Sequence, residues 1–327
     1  MGTAANRPLT IGVDIGATKI AGGLLNAKGK LTKSIFLPTL ADRGQGASLA
    51  QVFRVMERLI RFAGGRENLR GIGICAPGPL NLKTGTVRNP PNLRWRIVPL
   101  ARLVRQRFGL PCLLENDANA AGLAEVLIGA AADYRDVFYV TVSTGVGASI
   151  IIDKKIYHGK NGLAGHGGHV PIDYHSPYVC GCGTHGCIEA LASGPSMARR
   201  ARVLLESEHS TPSLLRTLSR GDLNRITPAI IAAAARRRDR IAKSILDETG
   251  FLLGVWLGGM ISLLDPEAVV IGGGVSHIGK PLFDKIRETV PHYTVLRDRV
   301  ATLPILPAKL RKNVGVYGAA SLFLNLA

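Results

Sequence analysis

Acidic residues are scarce in this 327-residue chain: 23 Asp and Glu stand against 41 Lys and Arg, leaving a formal charge of +18. That balance admits nucleic acid, an anionic membrane surface or a polyanionic ligand as partner. Aromatics are also few, at 5%, and no helix-turn-helix pattern leads the first strand, so nucleic acid is not expected. The densest basic run, Arg236–Arg238, sits in the helical pattern AAAARRRDRIAKSILDETG and reads as a solvated helix face. Long apolar runs are missing too. The nearest, FLLGVWLGGMISLL (251–264), is too short and too interrupted by glycine for a membrane span and reads as a buried helix. No signal peptide precedes the first apolar run, LTIGVDIG, which reads as a strand; a cytoplasmic protein is expected. The five cysteines contain no C-x-x-C redox pair, and none of the glycine turns at strand ends has the Walker spacing or a G-x-G-x-x-G opening a Rossmann unit.

What is present is an alternation of strands and helices. The 46% apolar content supports substantial cores, and the length suits two domains or one large domain with a cleft. The chain opens strand–turn–strand, with LTIGVDIG (9–16) and TKIAGGLLN (18–26), then a third strand near KLTKSIFLP. A helix over about 47–63, a buried strand GIGICAP (71–77) and an Asn/Pro loop NPPNL (89–93) follow. Next come a helix near 98–108, a strand LPCLLEN (110–116) and a helix DANAAGLAEVLIG (117–129), with Asp117 as a good cap. The second half repeats this grammar: VFYVTVSTGVGASIII (137–152) reads as two strands around a glycine turn. Helices over about 194–264 lead to the strand EAVVIGGGVS (267–276), which breaks into a triple-glycine turn, and VYGAASLFLNLA is a last helix packing back on the first lobe. Two α/β lobes around a cleft are expected.

Three of the cysteines cluster in CGCGTHGCIE: Cys180, Cys182 and Cys187, with His169 upstream and Glu189 just after. Three thiolates and an imidazole form a closed tetrahedral zinc set. Glycines 181, 183 and 186 are expected to let the backbone turn tightly enough to aim the sulfurs at one point. A disulfide would leave an odd thiol, and Cys75 and Cys112 lie in strand-like runs where cysteine acts as a small hydrophobe. His166 and His185 are close enough to compete with His169 as the nitrogen ligand.

Three glycine turns stand at strand ends: DIGATK (14–19), STGVG (143–147) and GGGVS (272–276). Each brings backbone N–H groups toward an anion; Thr18 adds a hydroxyl, Lys19 a cation, and Asp14 could hold hydrated Mg2+. In ENDANAAGLAE (115–125), Asp117 starts a helix at the carboxyl end of a strand. A cap is the plain reading of that residue. Asn116, Asp117 and Asn119 also make a dense polar set for a polyol, and a carboxylate there can take the proton of an attacking hydroxyl.

DIGATK, ENDANAAGLAE, STGVG, AGHGGH, CGCGTHGCIEALASG and IGGGVS, in this order, resemble the ROK family of bacterial sugar kinases and sugar-responsive repressors over nearly the whole chain. The resemblance implies an α/β, two-lobed actin-like, ribonuclease-H-like sugar kinase fold with an interlobe cleft. One lobe would be 1–117, completed by a C-terminal helix 312–327, and the other 118–311, with a zinc knuckle and a helical segment. It implies ATP-dependent phosphorylation of glucose at its 6-hydroxyl, ahead of N-acetylmannosamine, N-acetylglucosamine or fructose. A sugar-responsive regulator is the alternative, disfavoured because only eight residues precede the first strand; polyphosphate ranks below ATP as donor.

By position, Asp117 would be the general base, and Gly78, Asn92, Asn116, Asp117, His166, His169 and Glu189 would meet the sugar. Asp14, Gly16, Thr18 and Lys19 would serve the phosphates and Mg2+, while Thr144, Gly145, Gly273 and Gly274 would bracket the nucleotide. His169, Cys180, Cys182 and Cys187 would bind structural Zn2+. A homo-oligomer, dimer or tetramer, is implied as well. Two positions depart from the family's pattern: Ala17 replaces a glycine, and His166 replaces the glutamate of A-G-E-x-G-H. Neutral imidazole offers one acceptor where a carboxylate offers two oxygens, which bears on sugar identity more than on the reaction.

Overall fold

The computed structural model describes residues 9–208 and 211–324. The chain forms two compact units: residues 1–135, 151–163 and 309–327 make unit 1, and residues 136–150 and 164–308 make unit 2.

In unit 1, β1 (Leu9–Ile15), β2 (Lys19–Asn26) and β3 (Leu31–Pro38) form an antiparallel meander. α1 (Gln45–Phe62) buries Val52, Val55, Met56 and Leu59, the spacing of one helix face, and leads to β4 (Leu69–Ala76), parallel to β1. A small ribbon follows: β5 (Leu80–Asn81), β6 (Thr86–Arg88) and β7 (Ile97–Val98). α2 (Leu100–Phe108) then precedes β8 (Cys112–Asn116), giving the order β3-β2-β1-β4-β8. α3 (Asp117–Ile128) begins directly at the end of β8.

In unit 2, β9 (Val137–Val142) and β10 (Val146–Ile152) flank the STGVG turn. β11 (Lys155–Ile156) pairs with Ile151 and Ile152, residues that cluster with unit 1. Short α4 (Ile188–Ala192) leads into the helices α5 (Gly194–Ser207), α6 (Leu214–Leu218), α7 (Pro228–Arg236) and α8 (Arg240–Leu264). β12 (Ala268–Gly272), α9 (Lys280–Thr289), α10 (Arg297–Val300) and β13 (Ile305–Pro307) complete it. The strand order is β11-β10-β9-β12-β13, with β12 parallel to β9 and β13. Trp256, Leu253, Leu257 and Ile261 of α8 anchor the core of this unit.

The run 251–264 is the second half of the 25-residue helix α8, which by length and composition alone could cross a membrane. It is buried as expected, with 56% of its apolar window inside the protein. The arginine run is exposed, as expected, but it is not a helix face. It breaks α7 from α8, with Arg238 at φ 62, and Asp239 then caps α8 by accepting the Ala242 N–H at 2.8 Å.

The last helix, α11 (Val314–Ser321), lies in unit 1 and is shorter than its apolar pattern; residues 325–327 of the expected 312–327 helix fall outside the described residues, as do 1–8 of the expected first lobe. Glycines make room for it. A Cβ on Gly12 of β1 would overlap the Val316 carbonyl, and one on Gly73 of β4 would overlap that of Ala319. α11 also packs along α3, where a Cβ on Gly318 would meet the Ala120 carbonyl at 2.6 Å. This packing keeps α3 in unit 1, so the unit boundary falls at 135/136 rather than at the expected 117/118.

Candidate active site

At the end of β8, Asn116 has extended backbone (φ −68, ψ 146), and its Oδ1 accepts the N–H groups of Ala118 at 3.0 Å and Asn119 at 3.3 Å. Asn116, not Asp117, is therefore the cap of α3, one residue earlier than the sequence pattern indicates. Asp117 is the first helical residue, and its Oδ1 accepts the Ala118 N–H at 2.9 Å. With its side-chain oxygen engaged in capping, Asn116 keeps only its amide N–H groups for a sugar.

Glu115, one residue upstream, is buried and was given no role by sequence reasoning. Its Oε1 accepts the Asn116 N–H at 2.9 Å and the Asn119 amide at 3.0 Å, and its Oε2 lies 2.7 Å from His158 Nε2. The hydrogen bond to Glu115 raises His158 above its ordinary pKa, against a smaller opposing effect of burial. The 43-residue separation hides this pair from any spacing pattern.

Asp14 closes β1. Burial, and next the negative charge of Asp117, push its pKa up to about 6; a hydrogen bond from Cys75 and the Lys19 charge oppose the rise. Space for the Asp14 carboxylate exists because residue 315 is glycine, whose Cβ would overlap Oδ2. The β1–β2 turn is closed by Gly16 N–H donating to Lys19 O at 3.0 Å, while Ala17, Thr18 and Lys19 are exposed. Buried Thr39 fastens the turn, its hydroxyl donating to Gly16 O at 2.7 Å and its N–H to Thr18 O at 3.0 Å. Gly78 precedes a cis bond to Pro79, and Asn92 is exposed in the Pro90–Leu93 turn.

In unit 2, the donor atoms of His169, Cys180, Cys182 and Cys187 all lie within 4.8 Å of one another. Cys182 and Cys187 sulfurs are 3.7 Å apart, and Cys180 Sγ is 3.4 Å from His169 Nδ1. A tetrahedral zinc with Zn–S of about 2.3 Å sets its sulfurs about 3.8 Å apart, and slightly less from sulfur to nitrogen, so the group fits that ion. His185 turns away, its Nδ1 3.3 Å from Ser176 O, and the His166 ring stacks on that of His169 with centroids 6.0 Å apart. Neither competing histidine joins the group among the described residues. Gly183 (φ 89) and Gly186 (φ 66) need their positive φ, and a Cβ on Gly186 would overlap the Asp173 carbonyl. Gly181 has no such need, with nothing within 4 Å of a Cβ there, so only two of the three expected glycines shape the knuckle.

The other two glycine turns converge in the same unit. Thr144 is exposed and Gly145 half-buried between β9 and β10. Gly273 (φ 84) fits against the end of β9, where a Cβ would overlap the Val142 carbonyl, and Gly274 starts the 3-10 turn Val275–Ile278. A ROK family profile matches residues 10–325.

The chain belongs to the ROK family. A glucokinase of Thermotoga maritima is 34% identical to it over 313 residues, 95% of this chain and 96% of that one. A crystal structure of a ROK family glucokinase from Streptomyces griseus, in complex with glucose and AMPPNP, matches with a TM-score of 0.81 at 34% identity, covering 96% of this chain and 98% of that one. A xylose repressor of Caldicellulosiruptor bescii is 30% identical over 316 residues, 96% of this chain but 78% of the repressor. This ROK protein thus has the expected actin-like, two-lobed α/β sugar kinase fold.

Proposed function

We propose that this ROK protein is an ATP-dependent hexose kinase acting on the 6-hydroxyl of glucose. The observation that carries this reading is the pairing of two carboxylates at strand ends: Asn116 is the cap of α3, and Asp117, the first helical residue, lies near enough to Asp14 for its charge to raise that group's pKa. The glucokinase names of its relatives point the same way, and the presence of a xylose repressor among them leaves catalysis to be tested directly.

In this reading Asp117 accepts the proton of the sugar 6-hydroxyl as that oxygen bonds to the γ-phosphorus of ATP and the bond to ADP breaks. Thr18 and Lys19 would offer a hydroxyl and an ammonium group to phosphate on the turn that Gly16 closes, and Thr144, Gly145, Gly273 and Gly274 would serve the nucleotide. Asp14 is raised first by burial and next by the charge of Asp117, and a divalent cation beside the two carboxylates would relieve both; Mg2+ held there would neutralise phosphate charge. His169 and the three cysteines hold zinc as a structural ion that fixes its loop. His166, His169, Glu189, Asn92 and Gly78 are proposed to line the sugar, with His166 setting which hexose is preferred.

ATP-coupled turnover across glucose, fructose, mannose and the N-acetylhexosamines tests the reading, with glucose expected fastest and Asp117→Asn expected to bind sugar and ATP but lose at least about 100-fold in kcat. Absence of turnover on every sugar would overturn it, and full activity in Asp117→Asn would remove Asp117 as base.

A further inference from the structure

The Ser143–Val146 turn of unit 2 is gripped by backbone on one side and by a carboxylate on the other. Ser143 N–H closes the turn on Gly145 O at 2.8 Å, and Gly194 N–H donates to Ser143 O at 2.8 Å. Across from these, Val146 N–H donates to Glu189 Oε2 at 3.0 Å. The other oxygen of the same carboxylate, Oε1, faces the metal-ligand group, 3.3 Å from Cys180 Sγ and 3.9 Å from His169 Nδ1.

The surrounding backbone is shaped around this arrangement. A Cβ on Gly145 would overlap Glu189 Oε2, and a Cβ on Gly168, next to His169, would overlap the Val146 carbonyl. Glycine at both positions lets the turn and the metal-bearing segment approach within contact of the carboxylate and of each other. Glu189 is itself held by the first turn of α4, with its carbonyl accepting the Ser196 hydroxyl at 3.1 Å. Each carboxylate oxygen has two lone pairs, so Glu189 can hold the Val146 N–H and still accept a ligand hydroxyl; the bond to Val146 gives it a second task within the protein.

We propose that Glu189 is a positioning residue for the nucleotide side of the site. It ties the Ser143–Val146 turn to the His169, Cys180, Cys182 and Cys187 group, so that the knuckle holds the turn in its phosphate-receiving shape before ATP arrives. This rests on the reading of that turn as a phosphate loop. A turn already ordered in the free protein loses no conformational freedom on binding, and so binds anions more tightly than a loose one.

Two measurements separate the strut from the ligand it serves. Amide hydrogen exchange at Val146 is slow in the wild type and in Glu189→Gln, whose carbonyl still accepts that N–H, and is at least about tenfold faster in Glu189→Ala, the change expected for one lost hydrogen bond. The dissociation constant for AMPPNP, measured without sugar, rises about tenfold in Glu189→Ala and stays within about threefold of wild type in Glu189→Gln. Gly145→Ala, which displaces the carboxylate without altering any metal ligand, reproduces the nucleotide loss at full zinc content and carries the test if Glu189→Ala sheds zinc or fails to fold. Unchanged Val146 exchange in Glu189→Ala overturns the proposal. So does an unchanged AMPPNP constant accompanied by equal losses of sugar affinity in the alanine and glutamine variants. If the wild type binds no AMPPNP, the kinase reading fails, and Val146 exchange alone still decides the strut.

Discussion

Replacing Asp14 by asparagine should stabilise unit 1 at neutral and alkaline pH while damaging the proposed phosphate and metal site. Burial and the Asp117 charge lift the Asp14 pKa from 3.8 to about 6. One pKa unit is worth about 1.4 kcal/mol, so keeping Asp14 ionised costs the folded state about 3 kcal/mol once pH is well above 6. That figure already includes the favourable Cys75 hydrogen bond, so with asparagine standing in for the protonated acid the net gain is about 3 kcal/mol at pH 8. The sign follows from proton binding. Between pH 3.8 and 6 the folded state holds more protons on Asp14 than the unfolded state, so wild-type stability from this group is full below 3.8 and is lost as pH rises through 6. Trp95 lies in unit 1 and Trp256 in unit 2, and they are the only tryptophans, so urea unfolding followed by Trp95 fluorescence in a Trp256→Phe background isolates unit 1. In magnesium-free and nucleotide-free buffer, the stability difference should be near zero at pH 4 and grow toward pH 8. A difference that is constant across that range, or of opposite sign at pH 8, refutes the argument.

Gly186→Ala should strip the zinc and cost about 2–4 kcal/mol, because a positive φ and an overlap with the Asp173 carbonyl act together, whereas Gly181→Ala should retain one zinc per chain and stay within about 0.5 kcal/mol of wild type. Metal analysis with paired thermal melts checks both, and equal zinc loss in the two variants would refute the assignment. His158 should titrate above 6.5 by NMR, since Glu115 favours its charged form; the stability it adds is full below 6.5 and lost as pH rises through its folded pKa. His158→Gln should flatten that loss, and a His158 that titrates at or below 6.5 contradicts the pairing.

The long elements were legible because their burial imposes a period: the continuous apolar run of β4 and the 3–4 spacing of α1 follow from the faces they cover. Strands β5, β6, β7, β11 and β13 were not, since two or three residues hold no period. The unit boundary was missed for a different reason. It depends on α3 packing against α11, elements nearly 200 residues apart, although glycine at 12 and 73 within otherwise apolar strands was a usable sign that a backbone must come close there. In the metal group the donor identities were readable from residue type and spacing. The redundancy of Gly181 was not, because only the folded backbone shows which glycine has positive φ.

The one-residue shift of the cap from Asp117 to Asn116 bears on the chemistry as well as the boundary. Both residue types cap well, so sequence cannot choose between them. In the fold, Asn116 takes the Ala118 and Asn119 N–H groups, and Glu115 takes the Asn116 N–H and the Asn119 amide. Asp117 shares only the Ala118 N–H with Asn116, through its Oδ1. Its neighbour Asp14, lifted to about 6, is the member of the pair placed to hold a proton when no cation is bound. In the proposed mechanism the two carboxylates therefore take different roles, Asp14 beside a metal or proton and Asp117 as the proton acceptor.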